Sequence, residues 1–360
     1  MRVLVAMSGG VDSSVAAARL VAEGHDVVGA TLKLWGGSQS SGCCSVADVD
    51  DARRVAQQLG IPHHVFNLTE DFERDVVRHY VAAHADGRTP NPCIECNRHI
   101  KFDRLLERAR RLAFDRLATG HHAQVLERGG RISLRRGADP LKDQSYVLSM
   151  LGQAQLGAIV LPVGHMTKAE VRADAARLGL RTAAKPDSQD VCFIHDGDGR
   201  AGFLSSRLDL HPAEVVDRDS GAHLGTVEAV ELVTVGQRRG MPAAGERRYA
   251  VAVDVKARRV TVADASRAVV DEVSLVPGTV TWVDRPLADG GEAVAQTSAH
   301  GSPARCTVRV GASAAGPRVT CTFALPQRPV APGQTLALYD AADPDEVRGA
   351  GIVAGCGRLG

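Results

Sequence analysis

Aromatic residues are scarce in this sequence: Phe, Trp and Tyr together make up 4% of 360 residues. A chain so poor in rings does not hold nucleic acid mainly by stacking bases on a surface platform. An excess of charge is missing as well. Lys and Arg number 43 against 42 Asp and Glu, a formal net charge of +1, so any anion-binding surface has to be a local patch. Long apolar runs are also absent. No stretch reaches the roughly 20 residues that span a bilayer, and the first apolar run, Arg2 to Met7, leads straight into a Gly-rich turn rather than a secretory leader. The expectation is a cytoplasmic, monomeric protein with no membrane association. Eight cysteines in a reducing compartment do not form a structural disulfide framework, which leaves reactive or metal-binding roles.

The first half of the chain alternates strand-like and helix-like segments. Strands are expected at Arg2 to Met7, Asp26 to Leu34, His64 to Leu68 and Arg116 to Thr119, and helices at Ser14 to Glu23, Asp48 to Leu59, Glu70 to Ala85 and Ile100 to Leu112. This order predicts an α/β fold with a doubly wound parallel sheet, whose ligands bind at the carboxyl ends of the strands. Beyond about residue 200 helical periodicity fades. Short β-rich runs follow, at Tyr249 to Val255, Arg259 to Ala263, Ala304 to Val310, Val319 to Phe323 and Thr335 to Tyr339. The expected division is a catalytic domain over 1–200, a small β-rich domain over 201–268 and a β-barrel over 269–360. Leu287 to Pro303 is expected to be an exposed loop.

Ser8 to Ser14 reads SGGVDSS, between the first strand and the first helix. Gly9 and Gly10 permit a tight turn and close approach of a ligand. The hydroxyls of Ser8, Ser13 and Ser14 can donate to phosphate oxygens, and the helix start directs free N–H groups to the same point. The Gly-Lys-Ser/Thr ending of the Walker loop is missing, which disfavours a kinase or GTPase.

Asn91 to Asn97 reads NPCIECN, and Cys192 lies in DSQDVCFI. Three readings fit two cysteines at C-x-x-C spacing plus a distant one. They are a persulfide-carrying thiol pair, an iron–sulfur cluster on Cys93, Cys96 and Cys192 with one open iron, or a zinc site with His99 as fourth ligand.

The loop string resembles the PP-loop ATP pyrophosphatases, which split ATP between its α and β phosphates. The match becomes specific with GCCS at Gly42 to Ser45, GRTPNPCIECN, IKF at Ile100 to Phe102, ATGHH at Ala118 to His122, LKDQSY at Leu141 to Tyr146, VCFI at Val191 to Ile194, VGQRRG at Val235 to Gly240 and PGQTLALYD at Pro332 to Asp340. In this order, over nearly the whole chain, they resemble the bacterial tRNA-specific 2-thiouridylases (MnmA/TrmU). The resemblance implies ATP-dependent 2-thiolation of the wobble uridine of tRNAs for Lys, Glu and Gln. Cys96 would be the nucleophile and Cys192 the persulfide carrier, leaving a Cys96–Cys192 disulfide to be reduced each turnover. Ala6, Met7, Ser8, Gly9, Gly10, Val11, Asp12, Ser13, Leu32 and Gly120 would bind ATP, with Mg2+ as its counterion. Asn91, Pro92, Cys93, His121, Lys142, Asp143, Gln144 and Gln334 would meet tRNA. A carrier protein or a cysteine desulfurase would supply sulfur, and a [4Fe-4S] cluster is the alternative route.

Three departures stand out. Cys93 replaces an acidic residue found in many members, ATGHH replaces ATGHY, and an Arg-Tyr pair is not evident near Arg309 and Val310. Two basic stretches offer phosphate contacts: Arg98, Lys101, Arg104, Arg108, Arg110 and Arg111, and then Arg238, Arg239, Arg247 and Arg248. The bland reading of the first is a solvated helix face, since Asp103 and Glu107 interleave with it. The rival functions are a PP-loop amidating synthetase and a non-catalytic, metal-stapled RNA-binding protein.

Overall fold

The computed structural model describes residues 1–35, 45–187, 191–194, 199–242 and 247–357. The Cys43–Cys44 motif lies outside them.

A five-stranded parallel sheet forms the amino-terminal half. Strand β1 (Arg2–Ala6) lies at its centre, between β2 (Asp26–Lys33) and β4 (Arg116–Thr119); β3 (His63–Asn67) flanks β2, and Ile159–Val160 flanks β4. Alternate side chains of β1 point to opposite faces. Val3 and Val5 join one apolar cluster with helix α1 (Val11–Ala22) and helix α2 (Val46–Leu59), whereas Leu4 joins another with Phe72, Ile100 and Leu105. The sheet is therefore covered on both faces, as the alternation of segments predicts. The chain runs outward through β1, β2 and β3 and then returns to place β4 on the other side of β1. That reversal opens a crevice at the carboxyl ends of β1 and β4.

Both helix ends of α2 follow from local chemistry. Ser45 accepts from the Asp48 N–H while the Asp48 carboxylate accepts from the Ser45 N–H, a reciprocal cap. Gly60, at φ 69°, closes the other end in the left-handed conformation. The helix carrying the C-x-x-C motif starts at Pro92, one position past Asn91, whose side chain accepts from the N–H groups of Cys93 and Ile94.

Six strands close the carboxyl-terminal barrel, because Val270–Leu275 pairs with both Arg318–Gln327 and Glu346–Gly357. Between the two units, Arg248–Asp254, Arg259–Asp264, Ala213–Asp217 and His223–Val227 form a four-stranded sheet.

Two features depart from the sequence reading. The expected loop Leu287 to Pro303 contains the strand Gly291–Gln296, buried over its last four residues and paired on both sides. Its Gly, Ala and Gln content gives no β signal; position inside the barrel makes it a strand. The hairpin Ala123–Arg128 and Arg131–Arg136 leaves the amino-terminal unit and adds to the barrel sheet, pairing Arg135 with Glu346 and Leu134 with Val347. A cavity of about 340 Å³ at this seam is lined by Leu126, Arg131, Ser133, Arg135, Asp343 and Glu346. Its charges pair with one another, and it shares no residue with the phosphate loop.

Candidate active site

The Ser8–Ser13 loop lies in the crevice between β1 and β4. Gly9 has φ 75°, and a Cβ there would overlap the Asp48 carbonyl. Gly120, at the end of β4, is equally constrained: a Cβ would lie 2.5 Å from the Ser13 nitrogen. Both positions require glycine because backbone passes against backbone. Gly10 caps α1 with no side-chain cap, which leaves the first-turn N–H groups without a capping side chain among the described residues. The Ser8 and Ser13 hydroxyls lie 3.3 Å apart, while Ser13 and Ser14 donate to the Gly10 carbonyl at 3.1 and 2.8 Å. Leu32 and Met7 are buried beneath. This cradle has the donors and the free helix end that a triphosphate needs.

Charged residues that sequence reading did not single out surround the loop. Lys168 donates to both Asp12 carboxylate oxygens at 2.7 Å and lies 2.8 Å from Asp187. Asp187 also accepts from Lys142 at 2.8 Å and Arg172 at 2.9 Å. His122 Nε2 donates to Asp12 at 3.1 Å. Burial alone would raise the Asp12 carboxyl, but the hydrogen bonds from His122 and Lys168 outweigh it and hold it below its ordinary value. At Asp187 burial is likewise overcome by Lys142 and Lys168, which bring it down to about 2. Lys185 ties the far side together, donating to the Gly9 carbonyl at 3.0 Å, Asp48 at 2.6 Å and Asp51 at 2.7 Å. Nothing local in the sequence marks these lysines, since each is a lone charge far along the chain from the groups it binds.

The cysteine side is apolar. Cys96 is buried and Cys192 half-buried, and both pack in the same cluster as Leu32, Leu34, Phe72 and Ile100. Phe193, beside Cys192, is enclosed by rings: Phe203 at 5.0 Å, Tyr80 at 5.5 Å, Phe72 at 5.6 Å and Trp35 at 6.3 Å. Both side chains thus belong to one large apolar cluster, which runs from Leu4 to Ala350. Cys93 is exposed at the mouth of its helix. Among the described residues no three His, Cys, Asp or Glu side chains group as metal ligands. The cluster and zinc readings find no such group among the described residues.

The strip Thr119 to His122 joins the two sides. Gly120 abuts the phosphate loop, His122 holds Asp12, and His121 packs on Phe102 of the cysteine-bearing helix, ring centres 5.8 Å apart. His121 is buried and accepts or donates a 2.7 Å bond with Thr119; burial, then Lys101 and His122, push it well below the usual histidine range, so it is neutral. Of the other expected tRNA contacts, Asp143 is buried and bonded to Arg136, Gly137 and Ser145. Gln144 accepts from the His122 N–H at 2.8 Å, and Gln334 donates to the Thr89 carbonyl at 2.6 Å. These side chains brace the site from within. Lys142, with its side chain 38% exposed, and Cys93 lie at the surface.

Comparison with known proteins agrees with this arrangement. Residues 1–196 match the family model described as a tRNA methyl transferase HUP domain, and residues 274–353 one described as an aminomethyltransferase beta-barrel domain. The tRNA-specific 2-thiouridylase MnmA of Renibacterium salmoninarum is 44% identical, the alignment covering 94% of this chain and 93% of that protein. The protein of the same name from Acidothermus cellulolyticus is 46% identical, covering 94% of each. That of Thermobifida fusca is 44% identical, covering 100% and 97%. With a phosphate cradle, a buried thiol side and relatives of this closeness over nearly its full length, the chain belongs to the tRNA-specific 2-thiouridylase MnmA family.

Proposed function

We propose that this protein is an ATP-dependent tRNA-uridine 2-sulfurtransferase. The observation that carries the reading is the Thr119–His122 strip, which ties the phosphate cradle to the helix bearing Cys96. One enzyme can then activate an oxygen and deliver a sulfur at the same atom.

The C2 oxygen of uridine is a poor leaving group. In the first step it attacks the α phosphorus of ATP and pyrophosphate departs. The loop N–H groups and the Ser8 and Ser13 hydroxyls receive the phosphate oxygens, and Lys168 and Lys185 hold Asp12 and the Gly9 backbone in place. Magnesium, when bound, would neutralise phosphate charge, and Asp12 would hold it by exchanging one of the bonds its carboxylate accepts from Lys168 and His122. In the second step sulfur replaces the adenylated oxygen at C2 and AMP leaves. The sulfur is the outer atom of a persulfide on Cys192. The Cys96 thiolate attacks the inner sulfur, so the outer one departs at the sulfide level with its electron pair and a Cys96–Cys192 disulfide forms. An external thiol reductant restores the pair. The apolar surroundings of both sulfurs exclude water that would hydrolyse the activated base. The base leaves its stack to enter, bordered by Asn91, Pro92 and Cys93.

The wobble uridine of tRNAs for Lys, Glu and Gln is the target in this reading, and a carrier protein or a cysteine desulfurase loads Cys192. The functional division is 1–200 for catalysis, with 201–268 and 269–360 holding tRNA. No helix among the described residues is long and apolar enough to cross a membrane. The test is release of AMP and pyrophosphate that depends on tRNA, with 2-thiouridine measured in the digested product. ATP turnover indifferent to tRNA would overturn the reading.

A further inference from the structure

The two basic stretches look alike in sequence but differ in their surroundings. In the first, Arg104 lies 3.8 Å from Asp71 and 3.6 Å from Asp75, Arg111 pairs with Glu107, Arg110 donates to the Ala154 carbonyl and Arg108 covers the Phe66 ring. At least four of its six cations are thus engaged within the protein. In the second, Arg248 is bound to Asp217 at 2.8 Å, but Arg238, Arg239 and Arg247 are exposed and, among the described residues, form no ion pair.

A cation from the barrel joins this second group. Arg328, just past the strand Arg318–Gln327, is exposed and sits 5.1 Å from the centre of the Tyr249 ring. Tyr249 belongs to the four-stranded sheet, so the contact crosses between the two β units. The Arg328 guanidinium, reinforced by Arg238 and Arg247, draws the Tyr249 phenol below its ordinary value. Gly236 and Gln237 pair with Ala250 through their backbones, which sets Arg238 beside Tyr249, so Arg238, Arg247 and Arg328 lie about one half-buried tyrosine. Mutually repelling charges held on two different units form a site that an anion would complete.

We propose that Arg238, Arg247 and Arg328, grouped about Tyr249, form a phosphate-binding surface for the tRNA backbone at the junction of the central sheet and the barrel. The proposal rests on the thiolation reading for the identity of the nucleic acid. The partner is a chain of phosphates rather than a base, because exposed guanidinium groups that form no ion pair among the described residues recognise charge and not sequence. The surface shares no residue with the catalytic cradle, so it contributes to holding tRNA and not to chemistry.

The test uses the full chain. Binding of unmodified tRNA is measured over a series of salt concentrations for the wild type, for Arg238→Gln, Arg247→Gln and Arg328→Gln singly and together, and for Arg318→Gln, an exposed arginine outside the group. Each substitution in the group is expected to lower the slope of log K against log salt by about 0.7 to 0.9, and the triple variant by about 2. At saturating tRNA the triple variant keeps its kcat while KM rises. Arg318→Gln leaves the slope unchanged, and unfolding temperatures confirm that every variant is folded. Inorganic phosphate at matched ionic strength does not displace tRNA, which separates a backbone surface from a free-phosphate site. An unchanged slope in the triple variant of a protein that still thiolates tRNA overturns the surface and leaves the thiolation reading standing. A wild type that binds no tRNA overturns both.

Discussion

The phosphate side and the cysteine side of the crevice serve one reaction yet are made of opposite materials. Around the Ser8–Ser13 loop every charge has a partner: Asp12 with Lys168 and His122, Asp187 with Lys142 and Arg172, Lys185 with Asp48 and Asp51. Cys96 and Cys192 belong to an apolar cluster that also holds Leu34, Phe72, Tyr80 and Phe193. Moving a phosphoryl group requires charges fixed beforehand. Moving sulfur to an activated base requires a place that water does not reach.

If this contrast is right, the two half-reactions can be separated by mutation. The largest effect is expected for Cys96→Ser and Cys192→Ser. Each should reduce 2-thiouridine formation roughly a thousandfold or more while the first, tRNA-dependent release of pyrophosphate still occurs. Loss of both activities together would mean that the sides are not separable. Next, Phe193→Ala should cost about 3 to 5 kcal/mol of stability, since a fully buried ring would leave a void among four others; denaturant titration measures it. Gly120→Ala should reduce ATP turnover about a hundredfold with little loss of fold, because the added methyl group pushes directly on Ser13 and Asp12. Steady-state kinetics against a thermal melt separates the two effects.

The smallest expected effect concerns pH. His84 is buried against Tyr80; its Nδ1–H donates to the Glu231 carbonyl, and its Nε2 has no partner among the described residues. Burial depresses its pKa to about 4. The unfolded chain takes up this proton near the ordinary value of 6.5 and the folded chain resists it. The contribution is therefore full above pH 6.5 and is lost as pH falls toward 4, by about 1.4 kcal/mol for each unit. His63 and His121 are shifted in the same direction. Melting temperatures between pH 7 and pH 5 should decline less steeply in His84→Gln than in the wild type; equal slopes would remove His84 from the account.

What could be read from the sequence was local. SGGVDSS announces a phosphate loop because its glycines, its hydroxyls and the helix start lie within seven consecutive residues. The alternation of strands and helices fixes a parallel sheet for the same reason. Cys96 and Cys192 stood out in the sequence as residues able to carry chemistry, but that both belong to one apolar cluster depends on the fold and on no local pattern. Lys168, Lys185 and Asp187 escaped notice because each is a lone charge far along the chain from the carboxylates or backbone it serves. Gly291–Gln296 became a strand through its neighbours and not through its composition. His121, Asp143, Gln144 and Gln334, singled out for contact with tRNA, make internal bonds that no local pattern announces.

The hairpin that begins at Ala123 follows directly after His122, the residue gripping Asp12, and ends as a member of the barrel's own sheet. Tyr146 strengthens the splice by donating to the Thr335 carbonyl at 2.8 Å, and Ser145 by its 3.0 Å bond to Tyr339. The nucleotide-binding half therefore has no clean place to be cut. A fragment ending near residue 200 would keep an orphaned sheet edge and one buried hydroxyl, that of Tyr146, stripped of its partners, and would be prone to clump. The same splice makes the barrel a handle: force applied there by a bulky substrate is only a few peptide bonds from the carboxylate beside the phosphate loop.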